Sequence, residues 1–152
     1  MSVSVVEAIH IARERAAPTE PVERIRAVAG RGLEGDRHFG EHEPGSGHDL
    51  TLVAAESIEA LGEGQGIVLD PGQTRRQITT RGVDVNALVG RRFTVGEVEA
   101  VGIELCEPCN HLQSMTPPGT MRGLVHRAGL NADIVRGGEI AVGDPIADTG
   151  DC

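Results

Sequence analysis

A mainly β domain is the fold class this sequence predicts, and three observations predict it. Twenty-one glycines are spread through the 152 residues, and eight prolines fall between apolar runs. The apolar runs are short and rich in valine and isoleucine, the residues that suit a pleated, half-buried surface. Turn-forming residues at that density cut a chain into many short strands. The length allows one well-buried domain and is too short for two ordinary ones.

Taken in order, the expected strands are Val3–Ala12, Val22–Ala29, Leu50–Val53, Arg76–Thr79, Arg92–Val95, Val98–Leu105, Gly123–Ala128 and Ile140–Val142. Two helices are predicted. Ala54 to Leu61 consists mostly of good helix formers and should stop before Gly62. Asp84 to Leu88 reads as one short turn capped by Asp84 and ended by Gly90. Glu41 to Gly47 is polar and glycine-containing, and reads as a mobile loop. Residues 1–146 are expected to form a single domain and 147–152 a frayed tail. The uneven strand lengths favour a barrel over a sandwich.

Composition excludes several functions. The net charge is −9, which disfavours a nonspecific polyanion binder. Phe39 and Phe93 are the only aromatics, so the stacking platforms of single-strand nucleic-acid binders are missing. No apolar run approaches the ~20 residues of a membrane span. The first eleven residues alternate as a strand and lack the features of a signal peptide. A cytoplasmic protein with reduced cysteines, binding neither nucleic acid nor membrane, is the expectation. There is no lysine, and all fourteen basic residues are arginine. A covalent pyridoxal-phosphate enzyme therefore cannot be built from these side chains. Arginine suits planar recognition of phosphate or carboxylate instead.

Three segments carry candidate chemistry. The first is Cys106-Glu107-Pro108-Cys109, which holds two of the three cysteines. A structural zinc site would need a second pair of ligands. Haem attachment needs histidine where Asn110 stands. A thioredoxin-like dithiol would need alternating β and α units, which the sequence does not show. Cys106, at a strand end, reads chiefly as a small buried apolar residue. Cys109, between Pro108 and Asn110 in a loop, reads as nearer solvent.

The second segment is Arg31-Gly32-Leu33-Glu34-Gly35-Asp36-Arg37-His38. Its glycines permit a tight turn, either as plain surface or as a close approach that offers Arg37 and His38 to an anion. The third runs from Gly72 to Asp84 and contains Arg75 and Arg76. On a strand, neighbours point to opposite faces, so one arginine should face a site and the other solvent.

In this order, three sets of residues resemble MOSC domains, named for the C-terminal domain of molybdenum-cofactor sulfurase. They are Gly32 to His38, Arg75 to Asp84 with Leu88 to Gly96, and Cys106 to Cys109 closed by Gly138 to Asp144. The resemblance spans nearly the whole chain. It implies a MOSC-type β-barrel with a few short helices. It implies a molybdenum-pterin cofactor whose metal is ligated by Cys109, which would then also be the catalytic residue. Arg75 matches a cofactor-contacting arginine, with Arg37 and His38 as further candidates. The Ser46 to Asp49 loop falls where other cofactor contacts lie, which brings in His48 and Asp49.

The relatives best understood chemically reduce N-hydroxylated compounds. The implied partners are thus a small-molecule substrate and a separate electron-donor or sulfur-donor protein. The sequence departs from the family at Gln77, where asparagine is frequent, and at His48, where many bacterial members have arginine. The extra basic N-terminal segment of larger relatives is not seen. Two other readings stay open: a sulfur carrier holding a persulfide on Cys109, and a small dithiol oxidoreductase.

Overall fold

The computed structural model describes residues 4–14, 17–66, 74–106 and 129–151. These form β1 (Val5–Ile11), β2 (Glu20–Pro21), β3 (Arg24–Val28), β4 (Gly32–Leu33), β5 (Leu50–Ala54), α1 (Ala55–Gln65), β6 (Ile78–Arg81), β7 (Arg91–Val95), β8 (Val98–Leu105), β9 (Leu130–Arg136), β10 (Gly138–Ala141) and β11 (Ile146–Asp151). A 3-10 turn at Val85–Leu88 precedes β7. Among the described residues no helix is long and apolar enough to cross a membrane.

Alternation places the side chains. In β8, Val98, Ala100 and Gly102 face the core, and in β9 Leu130, Ala132 and Ile134 do so. In β1 the buried set is Val6, Ile9 and Ile11, and the odd step comes from a register shift between Val6 and Ala8. A bulge of this kind moves later side chains to the other face.

Eight strands make one sheet in the order β11-β7-β8-β9-β5-β6-β1-β2, and β10-β3-β4 make a second. Among these strands every pairing is antiparallel except that of β5 with β6. A parallel pair needs a crossover, and α1 begins directly after β5. Phe93, fully buried, sits in a core with Leu33, Leu50, Leu52, Ile78, Leu88 and Leu130.

Among the described residues the expected barrel is not closed. The ladder ends at β11 and β2. The start of β1 meets the approach to β11 through one isolated bridge, Val5 with Pro145. Around it Ile146 N donates to Ser4 O and Val6 N to Asp144 O, both at 2.9 Å. Pro145 has no N–H to extend that ladder.

Other expectations need correction. The strand expected at Arg76–Thr79 begins two residues later, and the strand expected over Gly123–Ala128 lies outside the described residues. β9 and the two-residue strands β2 and β4 were not anticipated. Residues 146–151 pair with β7 where a frayed tail was expected. The helix runs on through Gly62 and Gly64 to Gln65, since each glycine costs a helix only ~1 kcal/mol. Asp84 caps its turn as expected, accepting a hydrogen bond from Asn86 N at 3.1 Å.

Candidate functional site

A cavity of about 210 Å3 opens where the end of β1, the turn before β5 and the approach to β6 converge. Its walls include His10 and Ala12, Asp36 to His38, Gly47 and His48, Thr51, Arg75 to Gln77, Cys106 and Asn131. The three segments singled out by sequence thus meet in space.

Asp36 organises the first wall. It is 7% exposed, and a buried carboxylate must have its lone pairs met. Its Oδ1 accepts from Ala12 N at 3.0 Å, and its Oδ2 from His38 N at 3.1 Å and Gln77 Nε2 at 2.9 Å. Arg37 N donates to Ala12 O at 2.7 Å. Gly35, at φ +87°, supplies the left-handed step that turns the chain here. Gln77 completes the frame: its Oε1 accepts from Thr51 N at 3.0 Å, and its own N donates to Thr51 Oγ1 at 2.9 Å.

Arg75 and Arg76 both line the cavity, contrary to the expectation that one would face solvent. They precede β6, and Arg75 has φ +61°, so the strand rule of opposite faces does not apply. Arg75 Nη1 donates to Ala17 O at 2.7 Å. Its Nε and Nη2 are buried and have no hydrogen-bond partner among the described residues. Loss of surrounding water, and then the charge of Arg37, hold its pKa below the ordinary value, while Asp36 acts in the opposite sense. Arg76 is 8% exposed and donates through Nη2 to Cys106 O at 3.3 Å.

His38 is also held below its ordinary pKa, first by loss of water and then by Arg37, with Asp36 opposing. Cys106 is half-buried at the cavity wall, not a plain core residue. Its N donates to Gly129 O at 2.8 Å. Gly129 sits so close to the Leu52 carbonyl that a Cβ would overlap it. Asp49 does not line the cavity. It is 3% exposed, and its oxygens accept from Gly30 N, Ile134 N and the His42 ring. His48 lines the cavity and is exposed. Cys109 lies outside the described residues. Among the described residues no cluster of metal-ligating side chains occurs.

Sequence reasoning missed His10 and Asn131. The signal for both was alternation: each is a polar side chain one step out of phase with buried neighbours, Ile9 and Ile11 for one, Leu130 and Ala132 for the other.

Comparison with known families gives a match to the MOSC domain over residues 34–147. This chain belongs to the MOSC domain family. The fold of this MOSC domain is shared by YuaD of Bacillus subtilis, at TM-score 0.76 and 18% identity, covering 95% of this chain and 94% of that one. It is shared by YiiM of Geobacillus stearothermophilus, at TM-score 0.74 and 12% identity over 96% of this chain and 75% of that one. YiiM of Escherichia coli aligns at TM-score 0.73 and 14% identity, over 100% of this chain and 72% of that one. No curated protein matches the sequence.

Proposed function

We propose that this MOSC domain binds a molybdenum-pterin cofactor and reduces small N-hydroxylated compounds. The observation that carries the reading is Arg75, with two buried guanidinium nitrogens that have no partner among the described residues, in a cavity also lined by Arg37 and Arg76. Buried donors without partners cost about 1–3 kcal/mol each, and a phosphate oxygen is the acceptor that relieves such a cost bidentately. The residues present therefore fit the anionic end of such a cofactor. The cavity is smaller than the ~300 Å3 at which whole-ligand sites begin, so it suits one end of the ligand rather than all of it.

In this reading Arg75 binds the phosphate, with Arg37 and His38 beside it. The thiolate of Cys109 is the protein's ligand to the metal, a soft donor of the type that suits molybdenum. When bound, the cofactor supplies two-electron oxygen-atom removal from nitrogen. Asp36 and Gln77 hold the arginine-bearing turn against β1 and β5. Electrons come from a separate redox protein, and reduced thiols fit a reducing compartment such as the cytoplasm.

The test is molybdenum and pterin content of protein purified anaerobically from a cofactor-competent host, with Cys109→Ala and Arg75→Leu alongside. Stoichiometric metal and pterin in the wild type, metal lost in Cys109→Ala and pterin weakened in Arg75→Leu, is the expected result. A wild type that holds neither after reconstitution overturns the reading. Cyanide-releasable sulfur on Cys109 would then identify a persulfide carrier.

A further inference from the structure

The polar segment 41–47, read from sequence as mobile, and the two residues that follow it are fixed on several sides. Gly45 N and Gly47 N both donate to the Asp133 carboxylate, at 2.6 and 2.8 Å. Gly47, at φ +73°, packs so tightly that a Cβ would lie 3.0 Å from Asn131 Cβ and 3.2 Å from Ile103 Cβ. His48 N donates to Ser46 Oγ at 3.3 Å, and His48 bridges to Ala132 of β9. A ring follows the backbone. His42 meets His48 edge-on, with centroids 6.0 Å apart and planes at 84°. His42 Nδ1 lies 2.6 Å from Asp49 Oδ1. Asp49 Oδ2 is held by Gly30 N at 3.2 Å and Ile134 N at 2.9 Å, so the carboxylate cannot turn away. A buried carboxylate on Nδ1 fixes the tautomer and orientation of an imidazole.

We propose that His48 is the proton donor of this cavity, held in position by the Asp49–His42 pair. The inference rests on the function proposed above. Removing oxygen from an N-hydroxylated compound breaks the N–O bond and consumes two electrons and two protons, leaving an N–H bond and a water molecule. The electrons come from the separate redox protein. The protons must come from a group that reaches both cavity and solvent.

Guanidinium groups keep their protons at neutral pH, so Arg37, Arg75 and Arg76 cannot donate. The imidazoles can. His10 lies half-buried on β1, and His38 is biased toward its neutral form by loss of water and Arg37. His48 is exposed and lines the cavity. It protonates the departing oxygen and is reprotonated from solvent. Arg37, Arg75, Arg76 and Asp36 share the cavity with it, Asp49 stands behind His42, and the Asp133 carboxylate holds the N–H of the adjacent Gly47.

The experiment compares wild type, His48→Ala and His42→Gln as cofactor-loaded protein. Metal and pterin content is measured first, then turnover of an aryl amidoxime with reduced viologen as electron source. Expected for His48→Ala is full cofactor content and a kcat lower by about a hundredfold, partly restored by added imidazole. His42→Gln should lose about tenfold and gain nothing from imidazole. Loss of cofactor from His48→Ala overturns the proposal, because His48 would then be a cofactor contact. Wild-type turnover in His48→Ala, or slow turnover that imidazole leaves unchanged, also overturns it. A wild type without metal removes this proposal together with the function, and is seen before any variant is made.

Discussion

Replacing Gln77 by leucine tests whether one buried amide holds the cavity together. Gln77 is 5% exposed and Asp36 7%. The substitution deletes a charge-assisted bond to the Asp36 carboxylate, worth about 1.5–3 kcal/mol. It also strands the Thr51 N–H, at about 1–3 kcal/mol. The two share one side chain and do not add fully, so a loss of about 3–4 kcal/mol is expected. For a chain of this size that lowers Tm by about 6–16 °C. Urea unfolding should show a lower midpoint at unchanged m.

The glutamate variant at the same position adds a signed test. The new carboxyl group faces Asp36 Oδ2, so its folded pKa rises above the unfolded value of about 4.3. Below that value it is protonated, can still donate to Asp36, and stability approaches wild type. Above it the unfolded chain releases the proton first, so the deficit grows as pH rises toward the folded pKa. The reasoning is refuted if Gln77→Leu unfolds within about 1 kcal/mol of wild type, or if the glutamate variant shows a deficit independent of pH.

Three further outcomes are expected. Among the described residues Arg75 bonds Ala17 O and leaves two buried nitrogens without a partner, so Arg75→Leu should stay within about 1 kcal/mol of wild type in stability while calorimetry shows weaker binding of inorganic sulfate. His38 favours its neutral form in the fold, so its contribution to stability is complete above the unfolded pKa of about 6.5 and fades as pH falls through the folded value. Denaturation across that range should show the fade, and His38→Gln should flatten it. Phe93→Ala empties the centre of the core, where Phe93 is fully buried, and should cost about 3–5 kcal/mol by urea unfolding.

Local patterns made most of the fold legible. Val98–Leu105 is bounded correctly because it is apolar at alternate positions and a Cys-Glu-Pro-Cys sequence follows it. β9 carries the same alternation, with Asn131 and Asp133 between Leu130, Ala132 and Ile134, yet it is not among the expected strands. β11 was not legible in that way. Its Ala-Asp-Thr-Gly-Asp run has poor strand propensity, and pairing with β7 decides its state. The site divides similarly. Arg37, Arg75, His38 and His48, which the sequence offers as candidates, line one cavity. The left-handed backbone at Arg75 and the Asp36–Gln77 bond, across 41 residues, are tertiary facts that no local pattern announces. Asp49 looked like a site residue by position, and its carboxylate is instead engaged inside the fold.

The seam beside Pro145 has a consequence for synthesis. β1 is made early, yet Ser4 bonds a carbonyl 78 residues further on, at Gly82. At roughly 5–20 residues per second, its partners in β6 follow about four to fifteen seconds later. Val5 meets Pro145 only after nearly the whole domain has been made. Through that interval Val6, Ile9 and Ile11 have no sheet to enter, and an uncovered apolar strand is a template for pairing with another chain. The ribosome-bound chain should therefore depend on holding chaperones more than the finished domain does.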